Sequence, residues 1–381
     1  MIRRLLFVLT SPVRGGVEEV VLALLRRLDP GEFELALAAP RPLLDALAPD
    51  LDGVRVVAEP IAAESWLDRR EVGRLAALMR GFRPAIVNPH LFRSTAVAAP
   101  LARWHGARVV ETYHGREAWR RGPRPLRFLP DRVVGTLLDG VIAVSESARQ
   151  FLIRAKGYPA HRVVVVPNGR DLTRFRPGAD RELARKELGL DGDAPVVGVV
   201  ARLDAQKGHV HLLDAWPRVI REFPDARLLL VGDGPLRPAL EAQARTAEIR
   251  HAVQFAGFRA DVPRLLDAMD VVALPSLHEG MPLTAIEASA MARPVVATAV
   301  DGTPEVVLDG RTGRLVPPAD PRALADALCE LLGDPAAARR MGEAGRAWAL
   351  ARFTLERQVE ATARVYRALT TTATGRAERL A

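Results

Sequence analysis

Residues 196–231 read VVGVVARLDAQKGHVHLLDAWPRVIREFPDARLLLV. A β-branched apolar run over Val196–Ala201 gives way to a polar turn, then to an amphipathic stretch of helical period, then to a second apolar run at Leu228–Val231. Two apolar strands joined by a helix-length crossover encode a parallel sheet buried on both faces.

The same alternation continues outward in both directions. Later strands are expected near Val253–Phe255, Val271–Leu274 and Val295–Ala297. Earlier ones are expected near Leu5–Thr10, Glu34–Ala39, Val54–Val57, Ala85–Asn88, Val109–Tyr113, Val141–Val144 and Val163–Val166. At 381 residues the chain exceeds what one core organises. The expected fold class is therefore α/β with two doubly wound domains, 1–170 and 195–352, facing a central cleft and joined by a linker over 171–194 that is rich in Pro, Gly and Asp. In such sheets ligands bind outside the carboxyl ends of the strands. Leu355–Leu369 has helical spacing and no partner strand, so 353–381 reads as a C-terminal helix with a loose tail from Thr370.

Hydrophobic residues make up 49% and charged residues 26%, which excludes a disordered chain. The single cysteine, Cys329, excludes an internal disulfide and any cysteine-held metal cluster, and fits a reducing cytoplasm. MIRRLLFVLTSP has the charges of a signal peptide, but its apolar run is strand-length and leads into a glycine turn, so it reads as the first buried strand. No apolar stretch is long enough to span a membrane. The net charge of +8 points to anionic partners such as nucleotide phosphates, anionic lipid or nucleic acid. Nearly all of that charge is arginine; only Lys156, Lys186 and Lys207 are lysines, which makes each of them the more informative residue. Arg116–Arg132 mixes six arginines with Trp119, Leu126, Phe128 and Leu129, a composition that suits either an anionic membrane surface or a solvated loop.

Four turns at strand ends carry residues with chemistry. HEGMPLTAIE, 278–287, follows the strand VVALPS. Gly280 there permits an unusual backbone turn, and Pro282 suits a helix's first turn. Glu279 falls in the loop, while Leu283, Ile286, Glu287 and Ala290 share one helix side, which sets a carboxylate among inward-facing residues. A buried carboxylate needs donors, from ribose hydroxyls or from an arginine, and the free amides at the helix start suit phosphate. ARLDAQKG, 201–208, offers Arg202 and Lys207 to a diphosphate, or to solvent. One such cation about 4 Å from the leaving charge, at an effective dielectric near 20, contributes on the order of 4 kcal/mol before desolvation. SPVRGGVE, 11–18, places Gly15 and Gly16 at the first strand-to-helix turn, and TYHG places His114 at another strand end.

In order along the chain, GGVE, TYHG, VPNGRDLTRF, ARLDAQKG, VGDGPLR, FAGFRADVPRLLDAMDVVALPS and HEGMPLTAIEASAMARPVVAT resemble the retaining GT4-type glycosyltransferases, glycosyl transferases group 1. The resemblance spans nearly the whole chain and is weak near 41–80 and 116–135. It implies a GT-B fold, with two Rossmann-like domains, the acceptor on the first and the nucleotide sugar on the second. It also implies transfer of a hexose from a UDP- or GDP-linked donor to a lipid, saccharide or other acceptor, with retention, as in cell envelope polysaccharide or glycolipid biosynthesis. By position, Glu279 and Glu287 match the two acids of the family's E-x7-E motif, Glu279 toward the donor sugar and Glu287 toward the ribose. Arg202 and Lys207 match its diphosphate clamp, Gly16 its glycine loop, and His114 its sugar-facing histidine. Gly15, Gly232, Gly280, Met281, Leu283 and Thr284 complete the expected donor contacts.

Two departures stand out. Glu19 follows the glutamate of the glycine loop, where the family often has a basic residue, and Asp191-Gly192-Asp193 spells a metal-binding D-x-D in the linker rather than at a strand's carboxyl end. The latter reads as a turn, and neither a metal nor another cofactor is expected. A cytoplasmic enzyme is expected, with peripheral contact to the inner membrane face open and no nucleic acid partner. The competing readings are a GT-B sugar-nucleotide epimerase, an oxidoreductase, for which Val231–Leu236 supplies only two glycines of G-x-G-x-x-G, and a non-catalytic sugar-nucleotide-binding module.

Overall fold

The computed structural model describes residues 2–61, 69–115, 127–179, 181–190 and 192–371. It contains two compact units, one formed by Met1–Asn168 with Leu355–Ala381 and the other by Gly169–Thr354.

In the first unit, seven parallel strands lie in the order β3-β2-β1-β4-β5-β6-β7. They are β1 Arg3–Val8, β2 Phe33–Ala39, β3 Val56–Pro60, β4 Ile86–Pro89, β5 Arg108–Tyr113, β6 Gly140–Ala143 and β7 Val163–Val165. The leading apolar run is thus a central strand. Leu5, Phe7 and Leu9 enter one buried cluster and Leu6 and Val8 another, so successive residues of β1 feed cores on opposite faces. The helix Leu355–Thr371 closes one of these cores. Tyr366 is buried against Phe7 and Phe33, and its hydroxyl donates to Asn88 Oδ1 at 2.6 Å.

In the second unit six parallel strands lie in the order β10-β9-β8-β11-β12-β13. They are β8 Val196–Val200, β9 Arg227–Val231, β10 Val253–Gly257, β11 Val271–Leu274, β12 Val295–Thr298 and β13 Gly313–Val316. Counted from β8, this is the doubly wound order 3-2-1-4-5-6, with the chain reversing direction across the sheet between β8 and β11. The edge strand β13 was not expected from the sequence. Its four residues include Gly313 and the half-buried Arg314, which hide the apolar run. The stretch 171–194 is folded onto this unit: Arg181–Glu187 is helical, Arg185 donates to Ala268 O at 3.0 Å, and Gly178 N–H donates to Asp267 at 2.8 Å.

Candidate active site

At the reversal point of the second unit, the loops leaving β9, β8 and β11 are laminated against one another. Gly232, at φ 133°, passes so close to β8's loop that a Cβ would stand 2.0 Å from Ala201 O, and one on Gly234 would stand 2.5 Å from Leu203 O. Leu203 N–H donates to Asp233 O and Leu236 N–H to Leu203 O, both at 3.0 Å. On the other side Gly208, at φ 63°, lies against the carbonyl of Pro275, where a Cβ would meet it at 2.0 Å. Gln206 completes the layer, accepting from Leu277 N–H at 2.8 Å and donating its side-chain amide to His278 O at 3.0 Å. Gly232 therefore acts first as a loop-packing residue.

This lamination brings two of the expected residues together. Lys207 Nζ lies 2.6 Å from Glu279 Oε1, and Ser276 Oγ donates to the same oxygen at 2.8 Å. Glu279 is buried, and its own N–H donates to Asp301 Oδ2 at 3.0 Å. Asp204 accepts the Lys207 backbone N–H through Oδ1 and the Arg202 guanidinium through Oδ2, at 2.7 Å from Nε. Arg202 remains well exposed, so its charge is held at the rim without being spent on the interior.

The helix Leu283–Ala290 starts directly above. Thr284 Oγ1 donates to Val200 O at 3.0 Å, pinning the helix start to the end of β8. The first helical bond runs from Ala285 N–H to Pro282 O, so the amides of Leu283 and Thr284 precede the ladder. Met281, just before the helix, is buried. Two local expectations need correction. Pro282 is the residue before the helix rather than within its first turn, and Gly280 is not among the glycines of positive φ, so no left-handed turn requires it. Glu287, buried as expected, has Arg170 Nε at 2.5 Å from Oε1.

In the first unit Gly15 caps the helix Gly16–Arg27 in extended conformation. Arg14 spans from Glu19 to Asp50, at 2.7 Å from each, so the acid at position 19 anchors the glycine loop to its neighbouring helix. His114 follows β5 and its Nε2 is 2.7 Å from Nδ1 of His90, which follows β4; the rings stack with centroids 5.0 Å apart. Burial pushes the His114 pKa down to about 3 and, with the charge of His114 added, holds His90 well below its ordinary value. The pair is neutral at pH 7, one ring donating to the other.

His90, Ser276 and Asp301 escaped the sequence reading. His90 carried a usable signal, because it ends a strand in IVNPH as His114 ends one in TYHG. Among the described residues no group of three His, Cys, Asp or Glu side chains is arranged to hold a metal ion, and no helix is long and apolar enough to cross a membrane. Asp191 of the D-x-D, the basic stretch 116–126 and the tail 372–381 lie outside the described residues.

Residues 14–174 match the family model Glycosyltransferase Family 4, and residues 194–334 match Glycosyl transferases group 1. The chain is 39% identical over 267 residues to the GDP-mannose-dependent alpha-(1-6)-phosphatidylinositol monomannoside mannosyltransferase of Mycolicibacterium smegmatis, covering 67% of this chain and 69% of that one. It is 33% identical over 365 residues to the D-inositol 3-phosphate glycosyltransferase of Corynebacterium urealyticum, covering 87% and 85%. The fold is similar to that of Anabaena Alr3699/HepE in complex with UDP, with a TM-score of 0.83 at 22% identity over 96% of this chain and 100% of that chain. The full-length agreement in fold, the matches in both halves and the extended identity to two transferases establish that the chain belongs to the GT4-type, group 1 glycosyltransferases of GT-B fold.

Proposed function

We propose that this glycosyltransferase moves a hexose from a nucleoside diphosphate sugar to an acceptor with retention of anomeric configuration, and without a metal ion. The observation that carries the proposal is the Lys207–Glu279 pair beside the rim-exposed Arg202, at the start of a helix with free amides. As the glycosidic bond breaks, the diphosphate gains negative charge. Arg202, Lys207 and the Leu283 and Thr284 amides are the groups assigned to meet it, in the role a divalent cation plays elsewhere. Glu279, fixed by Lys207 and Ser276, faces the donor sugar, and Glu287 the ribose. His114 is assigned a hydrogen bond to the sugar, its ring held by His90. The leaving phosphate then assists deprotonation of the acceptor on the same face, and no protein nucleophile takes part.

For the donor and acceptor, the relatives supply the first candidates. A mannosyltransferase whose name specifies GDP-mannose and phosphatidylinositol monomannoside, and a glycosyltransferase of D-inositol 3-phosphate, both favour an inositol-bearing acceptor. We take GDP-mannose and an inositol glycolipid as the pair to test first, with the enzyme acting peripherally at the inner membrane face. The experiment is acceptor-dependent release of nucleoside diphosphate, with GDP and UDP sugars in parallel and EDTA present, followed by assignment of the product's anomeric configuration. Release that needs an acceptor and survives EDTA, with a retained product, is expected. Release that requires a metal, or an inverted product, refutes the mechanism.

A further inference from the structure

A cavity of about 900 Å³ opens in the second unit at the amino ends of β8, β11 and β12, where Pro195, Asp270 and Pro294 precede the strands. Lys207 and Glu279 sit on loops at the opposite, carboxyl ends. A five-residue strand separates the two places by roughly 16 Å. The cavity is therefore independent of the proposed donor site, and nothing in the transfer reaction uses it.

Its lining is cationic on one side. Among the described residues Arg181, Arg185, Lys186, Arg293 and Arg339 face it against three carboxylates, Glu182, Asp193 and Asp270. The inner guanidinia of Arg181 and Arg185 donate to the backbone carbonyls of Asp267, Met269, Ala268, Gly192 and Ala194 as well as to carboxylates. Arg181 and Arg185 share Asp270, at 2.5 and 2.7 Å, and Arg293 holds Asp267 at 2.6 Å. Burial holds Arg185 and Arg293 below the ordinary arginine value, and the charge of Arg181 acts on both in the same direction. Arg293 Nε is buried and has no hydrogen-bond partner among the described residues. At the rim, Lys186 and Arg339 are exposed, and neither pairs with a carboxylate among the described residues. The opposite wall is apolar, made by Leu331, Leu332, Pro335 and Ala338. Pro335 opens an 18-residue helix whose amino end is capped by Asp334, which accepts from Ala337 N–H at 2.9 Å and so leaves the attraction for an anion to the side-chain cations.

We infer that this cavity is a binding site for a phosphorylated small organic molecule, its phosphate toward Arg293, Arg339 and Lys186 and its apolar body on Leu331 and Leu332. The unmatched donor of Arg293 beside two exposed rim cations is relieved by an anion, and a planar fork matches phosphate oxygens. The volume fits a small-molecule ligand rather than a lone ion, and the apolar wall favours an organic body over inorganic phosphate.

The test is calorimetric titration of the full chain with phenyl phosphate and, separately, with inorganic phosphate. Three proteins are compared: the wild type, the rim variant Lys186→Glu/Arg339→Glu, and the loop variant Arg202→Ala/Lys207→Ala. Phenyl phosphate is expected to bind the wild type and the loop variant alike, more tightly than inorganic phosphate does, and at least about tenfold more weakly to the rim variant. Should the melting temperature of the rim variant fall, Lys186→Met/Arg339→Met replaces it. Equal binding by rim variant and wild type, loss of binding only in the loop variant, or equal affinity for the two phosphates each overturns the inference.

Discussion

Lys207 Nζ lies 2.6 Å from Glu279 Oε1, on a carboxylate 72 residues further along the chain. The contact exists because Gly208 lets β8's loop lie against the carbonyl of Pro275, which brings the loop after β11 within reach of the lysine. A carboxylate at 8% side-chain exposure thus has its charge compensated before any ligand arrives.

Removing the lysine therefore has two effects. Lys207→Ala strands a buried charge, and a loss of about 2–3 kcal/mol in unfolding free energy is expected together with the loss of turnover. The double variant Lys207→Ala/Glu279→Ala should be less destabilised than the sum of the single variants, with a coupling of about 1–3 kcal/mol. Chemical denaturation of the four proteins measures it, and strict additivity would show that the pair is not formed in solution.

Arg202 separates stability from catalysis. Its guanidinium is 61% exposed and rests on Asp204 within its own loop. Exposed pairs contribute little, so Arg202→Ala should unfold within about 0.5 kcal/mol of the wild type. Turnover should fall by about two to three orders of magnitude, the range for a lost charge-stabilising donor. Near-normal turnover would remove Arg202 from the diphosphate clamp.

Most of the sheet was legible because buried parallel strands are short, apolar and bounded by turns, and that pattern survives in one dimension. β13 was not, because an arginine and a glycine occupy half of its four positions. In the site, Glu279 and Lys207 were legible as residue types at strand ends, but their pairing was not, since it depends on two glycines packing against foreign carbonyls. Arg170 as the partner of Glu287 could not be singled out among so many arginines. The side chain of Asp301 meets the Glu279 amide from a loop after β12, and no local spacing announces such a contact.

Glu287 supplies the next expectation. Arg170 Nε is 2.5 Å from a carboxylate at 7% side-chain exposure, so in the proposed mode of binding a ribose hydroxyl would share Glu287 with the guanidinium. Glu287→Gln keeps the shape, weakens the charge-assisted bond to Arg170, and should lower nucleoside diphosphate affinity by about tenfold. The same variant should lower affinity for the 2′,3′-dideoxy nucleotide much less. Equal losses for the two nucleotides would place the ribose elsewhere.

The pH dependence of stability follows from the histidines. His209 is 2% exposed, neither ring nitrogen has a hydrogen-bond partner, and burial pushes its pKa down to about 4. His114 is pushed down to about 3, and His90 shifts in the same direction. Each folded value lies below that of the unfolded chain, about 6.5, so between the two values the unfolded state binds more protons. The stability contributed by keeping these rings neutral is complete above about pH 6.5 and is lost as the pH falls toward 4. For His209 alone the loss between pH 7 and pH 5 is on the order of 2 kcal/mol. His209→Leu removes the titrating group without breaking a hydrogen bond, so its unfolding free energy should fall less over that interval than the wild type's. Urea melts at pH 7, 6 and 5 measure both slopes, and parallel slopes would mean that His209 is solvated in the folded protein.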